Sequence, residues 1–279
     1  MNFIISKKAI YLVLTAFVFI FMAGCKKNKE FDLRPNLNVS NDQILANRPF
    51  IYAFQILLRA ATDSTLQSTL HAEIDGATVN LDVKRQTYTF LFQDTMSSDS
   101  VRRGGAFVAT VDSGFFHKGT TMKIVFQGYA EDGHVVSGKD SIRCNGLLND
   151  DYLYDNFISE ARITKDSAHN IQFRADYKMS VSRIPVTYGT NQRGLTFAGN
   201  SGGISSGGYP FTSSIENALI FRQMCPWICD GLIAFSITGA DIPSGTIEFM
   251  AKIDCNDNIK YDFTGNIYLL RMMNKFLLD

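Results

Sequence analysis

The chain has 279 residues, 46% of them hydrophobic and 19% charged, which is enough apolar content for substantial cores and excludes a disordered polymer. Its 27 Lys and Arg balance 27 Asp and Glu. With neither sign in excess and no basic stripe along the chain, nucleic acid is excluded as a natural partner.

Lys7 and Lys8 precede an apolar run from Ala9 to Phe21, and small residues follow at Ala23 and Gly24. That order is the order of a secretory signal. The run is 13 residues long, short of the ~20 that a membrane-spanning helix needs, so residues 1–24 read as a signal peptide to be removed. Met22, Ala23, Gly24 and Cys25 resemble the lipobox of bacterial lipoproteins, in which the Cys becomes the acylated first residue. An ordinary signal with an incidental Cys, or a short amphipathic anchor, is the alternative. Lipidation of Cys25 would anchor the chain without further apolar segments. Lys26 in place of Asp after the Cys resembles the pattern of lipoproteins sent to the outer membrane. Removal of the signal leaves 25 basic against 27 acidic residues.

Residues 25–40 read as a lipidated tether, polar and carrying Pro35. Asn47 as N-cap, Pro49 in the first turn and apolar spacing near 3.6 from Phe50 to Ala61 predict a helix near residues 48–62. From Leu70 the pattern changes to short alternating runs separated by Gly, Asp and Asn, the texture of antiparallel β structure. Strands are predicted at 71–74, 77–83, 87–92, 106–111, 122–129 and 135–136, with Asp75-Gly76 as a hairpin turn.

Residues 146–156 are rich in turn formers and acids and read as a linker, which gives an N-terminal domain over 41–145 and a C-terminal β domain over 157–279. Asp150, Asp151 and Asp155 could offer oxygen ligands to Ca²⁺, but lack the spacing of an EF-hand loop. Further strands are predicted at 157–163, 171–177 and 184–188, and the Gly and Ser tract from Gly199 to Gly208 reads as a mobile loop. Residues 105–111 match 231–237 in apolar pattern, and Gly119-Thr120 matches Gly245-Thr246 at the same offset, which suggests a duplication. The expected class is mainly β: two antiparallel β-sandwich-like modules with one N-terminal helix.

In an exported chain the four remaining cysteines suggest disulfides, with Cys225 to Cys229 and Cys144 to Cys255 as the favoured pairs. No motif supplies a catalytic residue, a metal site or a cofactor. His71, His117, His134 and His169 lack ligand spacing, and the Gly and Ser tract makes neither a nucleophile elbow nor a phosphate loop. Two aromatic groups are the candidates for ligand binding: Tyr152 with Tyr154, and Tyr209, Phe211 and Trp227. Flat apolar faces with polar edges suit sugar rings and peptides.

The lipobox at Met22 to Cys25 and the β texture after it are similar to the β-rich surface lipoproteins of the Bacteroidota. The resemblance implies an outer-membrane, lipid-anchored location and carries no active-site residue. The function expected is a non-enzymatic binding or accessory module with a membrane anchor and a glycan or protein partner. The alternatives are an adhesin or pilus-type subunit, for which Tyr261 to Leu278 could donate a strand, and a hydrolase with dispersed residues.

Overall fold

Strict alternation between buried and exposed residues organises the chain after residue 70. Ile171, Phe173, Ala175, Tyr177, Met179 and Val181 point inward from one strand, while Gln172, Arg174, Asp176 and Lys178 point out. A period of two puts each set on one face. The computed structural model describes residues 34–166, 169–182, 194–222, 225, 227–238, 244–250 and 256–271. All of these belong to one compact unit that begins at Arg34. The segment expected to be a signal peptide, Cys25, Cys255 and the strand predicted at 184–188 lie outside the described residues.

Among the described residues two helices come first, α1 (Arg34–Thr62) and α2 (Ser64–Thr69). Fourteen strands follow: β1 (His71–Ile74), β2 (Ala77–Asp82), β3 (Thr87–Met96), β4 (Arg102–Val111), β5 (Thr121–Glu131), β6 (His134–Leu148) and β7 (Asp151–Thr164). The second set is β8 (Asn170–Ser182), β9 (Leu195–Ile204), β10 (Pro210–Phe221), β11 (Ile228–Ile237), β12 (Gly245–Phe249), β13 (Asn258–Phe263) and β14 (Asn266–Arg271). They form a single antiparallel sheet in which spatial order equals chain order.

The class is mainly β and antiparallel with an N-terminal helix, as the sequence indicates, but the strands make one sheet rather than two packed sandwiches. The stretch expected to be a linker is a hairpin: Leu148 pairs with Asp151 across a turn at Asn149 and Asp150, both at positive φ, and β7 continues through residues 151–156. Nor do the matched segments of the suggested duplication share a register. Met122 pairs with Val111, whereas Ile247, which aligns with Met122 once a single residue is deleted after Gly-Thr, pairs with Ile233, the counterpart of Phe107.

The inner face encloses α1. From Phe50 onward the helix is apolar and packs by aromatic contact: Phe50 against Phe126 at 5.2 Å, and Phe54 against Tyr154 at 5.2 Å and Phe115 at 6.0 Å. The helix begins fourteen residues before the predicted start, so residues 34–40 are not tether and Pro49 lies mid-helix. Residues 36–48 are Asn, Ser, Asp and Gln rich, poor helix formers in isolation. Here they are buried and find partners across the interior. Asn38 donates to Ser206 Oγ at 2.9 Å, Gln43 to Ser213 Oγ at 2.7 Å, and Tyr177 donates to Asn47 Oδ1 at 2.7 Å.

The Gly and Ser tract is one of these partners rather than a mobile loop. Residues 199–204 lie within β9, and Ser205 and Ser206 are buried in the turn that follows. Ser206 N–H donates to Asp42 Oδ2 at 2.5 Å and Gly207 N–H to Asn38 Oδ1 at 3.0 Å. Gly203 is required because a Cβ there would overlap the Gln172 carbonyl oxygen on the neighbouring strand.

Candidate functional site

The register of seven strands places a continuous row of side chains on the outer face. Phe157 on β7 pairs with Asp176 on β8, Asp176 with Asn200 on β9, and Asn200 with Ser214 on β10. From there the row runs through Ala234, Thr246 and Asp262 on β11, β12 and β13. A second row two residues away runs Arg174, Gly202, Thr212 and Ser236. The two rows line a trough of about 920 Å³.

Side-chain size explains the depression. Gly202, Ser214, Ala234, Ser236 and Thr246 form a low floor, while Phe157 and Arg174 rise at one side and Asp262 and Thr264 at the other. The floor offers hydroxyl donors and acceptors, of which Thr212 and Ser236 are mutually bonded at 2.9 Å. Phe157 is 56% exposed, a large apolar face left in water beside a polar cleft. The trough thus combines one aromatic platform with many short polar groups, the composition of a site that orients a hydroxylated ligand.

A second depression of about 690 Å³ adjoins the first and shares Arg174. Its charged residues are Lys139, Glu160, Arg162 and Arg174. Lys139 and Glu160 bond to each other at 2.8 Å.

The residues singled out from the sequence do not gather into a site. Trp227 is half-buried against Cys225 and Cys229. Tyr209 lies at the opposite end of β10, since Phe221 pairs with Ile228 and Phe211 with Ile237. A strand of that length separates the two rings by on the order of 35 Å. Phe211 is 2% exposed on the inner face, and Tyr154 is 1% exposed against Phe54 and Phe115. Tyr152 lies tilted against Phe116 with centroids 4.5 Å apart. Phe211 and Tyr154 thus belong to the core. Cys144 and Cys229 are both free and buried, so neither expected disulfide is present; Cys225 packs beside Cys229.

Sequence reasoning missed the trough because its residues are ordinary Ser, Thr, Asn and Asp, 105 positions apart from Phe157 to Asp262. It also missed a closed ionic cluster inside the sheet. Arg103 is fully buried, grips Asp99 with two bonds of 2.6 and 2.7 Å, donates to Glu131 at 2.9 Å and lies 3.3 Å from the Tyr52 ring centre. Arg48 donates to the other Glu131 oxygen at 2.8 Å. Burial alone would raise the Glu131 carboxyl, but Arg103, Arg48 and the Tyr129 hydroxyl hold it down at about 2. The void beside this cluster measures about 10 Å³, room for a water at most. It is scaffold and not a ligand site.

No protein family, no curated protein and no solved structure matches the chain. Fold and surface together define its class: a mainly β protein whose antiparallel sheet encloses a helix on one face and carries a polar trough on the other.

Proposed function

We propose that this protein is a lipid-anchored component of the bacterial outer membrane, acylated on Cys25, that binds glycan without transforming it. The observation that carries the binding reading is the trough across β7 to β13, with exposed Phe157 beside a floor of short hydroxyl side chains. Sugar rings present one apolar face and many hydroxyls, which match those two features.

Two trough carboxylates, Asp176 and Asp262, raise the question of hydrolysis. Five strand spacings separate them along the sheet, a path of roughly 24 Å. Glycoside hydrolysis by a carboxylate pair works across ~5–10 Å, so binding is the better-supported chemistry.

Equilibrium binding of the soluble mature chain to a polysaccharide panel tests the reading. Binding that Phe157→Ala weakens and Trp227→Ala leaves intact supports it; a panel without a single binder sinks it. Anchoring is tested separately by membrane fractionation of Cys25→Ser.

The second reading is strand-mediated assembly, favoured by one observation. Among the described residues β14 is last in the sheet, and its Ile267 and Leu269 are 59% and 72% exposed. Such an edge accepts strands from other chains. Tyr261 itself is no free donor, being fully buried in β13 between β12 and β14. Concentration-dependent oligomers in sedimentation would favour this reading over the first.

A further inference from the structure

The trough is electrically lopsided. Among the described residues its β11 to β13 end is lined by Asp262 and no cation, whereas the adjoining depression over β6 to β9 holds Lys139, Arg162 and Arg174 against Glu160 alone. Lys139 is matched by Glu160 at 2.8 Å, which leaves the two arginines. Among the described residues neither Arg162 nor Arg174 has an ion pair or a side-chain hydrogen bond, and both are exposed.

Register brings them together. Arg162 on β7 pairs with Gln172 on β8, and Arg174 follows Gln172 by two residues on the same face. That diagonal places their Cβ atoms about 7 Å apart, close enough for two guanidinium groups to converge on one small anion. Guanidinium forks match the two oxygens of a carboxylate or sulfate, and charge-assisted bonds of this kind are roughly twice as strong as neutral ones. Glycines lower the sheet surface beside them, with Gly138, Gly202 and Gly203 lining the same depression.

We propose that Arg162 and Arg174 form an acid-recognising subsite, so that the glycan taken by the trough carries a carboxylate or sulfate at one position and neutral sugars beyond it. The inference rests on the glycan reading of the trough and narrows it. A uniformly charged polyanion does not fit, because its next acidic groups would meet Asp176 and Asp262 along the row. The balanced net charge of the chain agrees: selectivity arises from two placed arginines and not from a general positive field.

The test uses oligosaccharides that each carry a single uronic or sialic acid, every one paired with its carboxyl-reduced form. The mature chain is compared with the double variant Arg162→Gln/Arg174→Gln and with Arg85→Gln, an arginine in the β2–β3 turn whose side chain is 83% exposed. Matching thermal melts show that all three are folded. The expected result is at least one acid-bearing member bound about tenfold tighter than its reduced form, a preference erased in the double variant and kept in Arg85→Gln. Equal binding of acid and reduced forms overturns the acid subsite and leaves the trough standing. Acid preference that survives the double variant, or that falls equally in Arg85→Gln, also overturns it. Absence of binding to every member defeats both readings together.

Discussion

Two buried carboxyls on neighbouring strands meet opposite fates. Glu131 and Asp140 are each 2% exposed. Glu131 faces Arg103, Arg48 and the Tyr129 hydroxyl, all within 2.9 Å, and is held down at about 2. Asp140 has the Asn156 amide as its hydrogen-bond donor, its Oδ2 has no partner among the described residues, and burial pushes it up to about 8, only partly offset by that amide. Depth in the fold is the same for both. What differs is whether the chain brings cations to the site: α1 supplies Arg48 and β4 supplies Arg103 to one, while the cross-strand neighbours of the other are Ile124 and Ile158. Burial penalises charge everywhere, and only a built counter-charge reverses the sign.

Breaking the ionic side of this comparison should have the largest effect. Arg103→Met leaves Asp99 and Glu131 buried without their main cation, and the expected loss is about 3–5 kcal/mol by denaturant unfolding. A loss below about 1 kcal/mol would mean that water enters the cluster and that it is not closed.

The pH profile of stability sharpens the comparison next. Glu131 is depressed when folded, so its contribution is present above the ordinary carboxyl value of 4.5 and is lost as pH falls toward about 2. Asp140 is raised when folded, so its contribution is full below 3.8 and is lost as pH rises through about 8. Each slope is at most about 1.4 kcal/mol per pH unit. Asp42, pushed up to about 6 by burial, reinforces the second slope. Together these groups place the maximum of their contribution near pH 4, acid of the usual range. Asp140→Asn should flatten the limb between about pH 6 and 8, leave only the Asp42 slope below that, and leave the acid limb unchanged; an unaltered profile in urea titrations at stepped pH would show that Asp140 is ionised in the fold.

A smaller effect is expected where the polar half of α1 meets the β9–β10 turn. Asn38→Ala removes one bond to Ser206 Oγ and one from Gly207 N–H, and should cost about 1–3 kcal/mol. It should also speed proteolytic nicking of residues 205–208, the turn that Asn38 and Asp42 pin.

These cases show which parts of the molecule the sequence makes legible. The strands at 71–74, 77–83 and 171–177 are plain because alternation and flanking turn formers act within a few residues. The first half of α1 is not, since Asn36 to Asn47 have no helical preference of their own and are held by partners more than 120 residues away, such as Tyr177 and Ser206. Residues 146–156 carry turn chemistry that suits a linker and a hairpin equally; only pairing of β6 with β7 distinguishes them. The aromatic candidates misled because ring exposure is decided by strand phase, which puts Phe211 inside and Phe157 outside. The trough requires the register of seven strands at once.

Phase also separates what stabilises the protein from what is free to bind, and Phe157 tests that division. Its inner-face neighbour Ile158 is 1% exposed, whereas Phe157 is 56% exposed and flanked across the strands by Ser141 and Asp176. Truncation of so exposed a ring removes few contacts, so Phe157→Ala should change stability by no more than about 0.5 kcal/mol. For a domain of this size that is a melting shift of roughly 1–2 °C. A ring that stacks on a sugar should instead lose about 1 kcal/mol of binding, or roughly fivefold in affinity. Ile158→Ala should show the reverse, unfolding easily while any binding by the folded fraction persists. If Phe157→Ala lowers the melting temperature as far as Ile158→Ala does, the ring belongs to the scaffold and the outer face loses its platform.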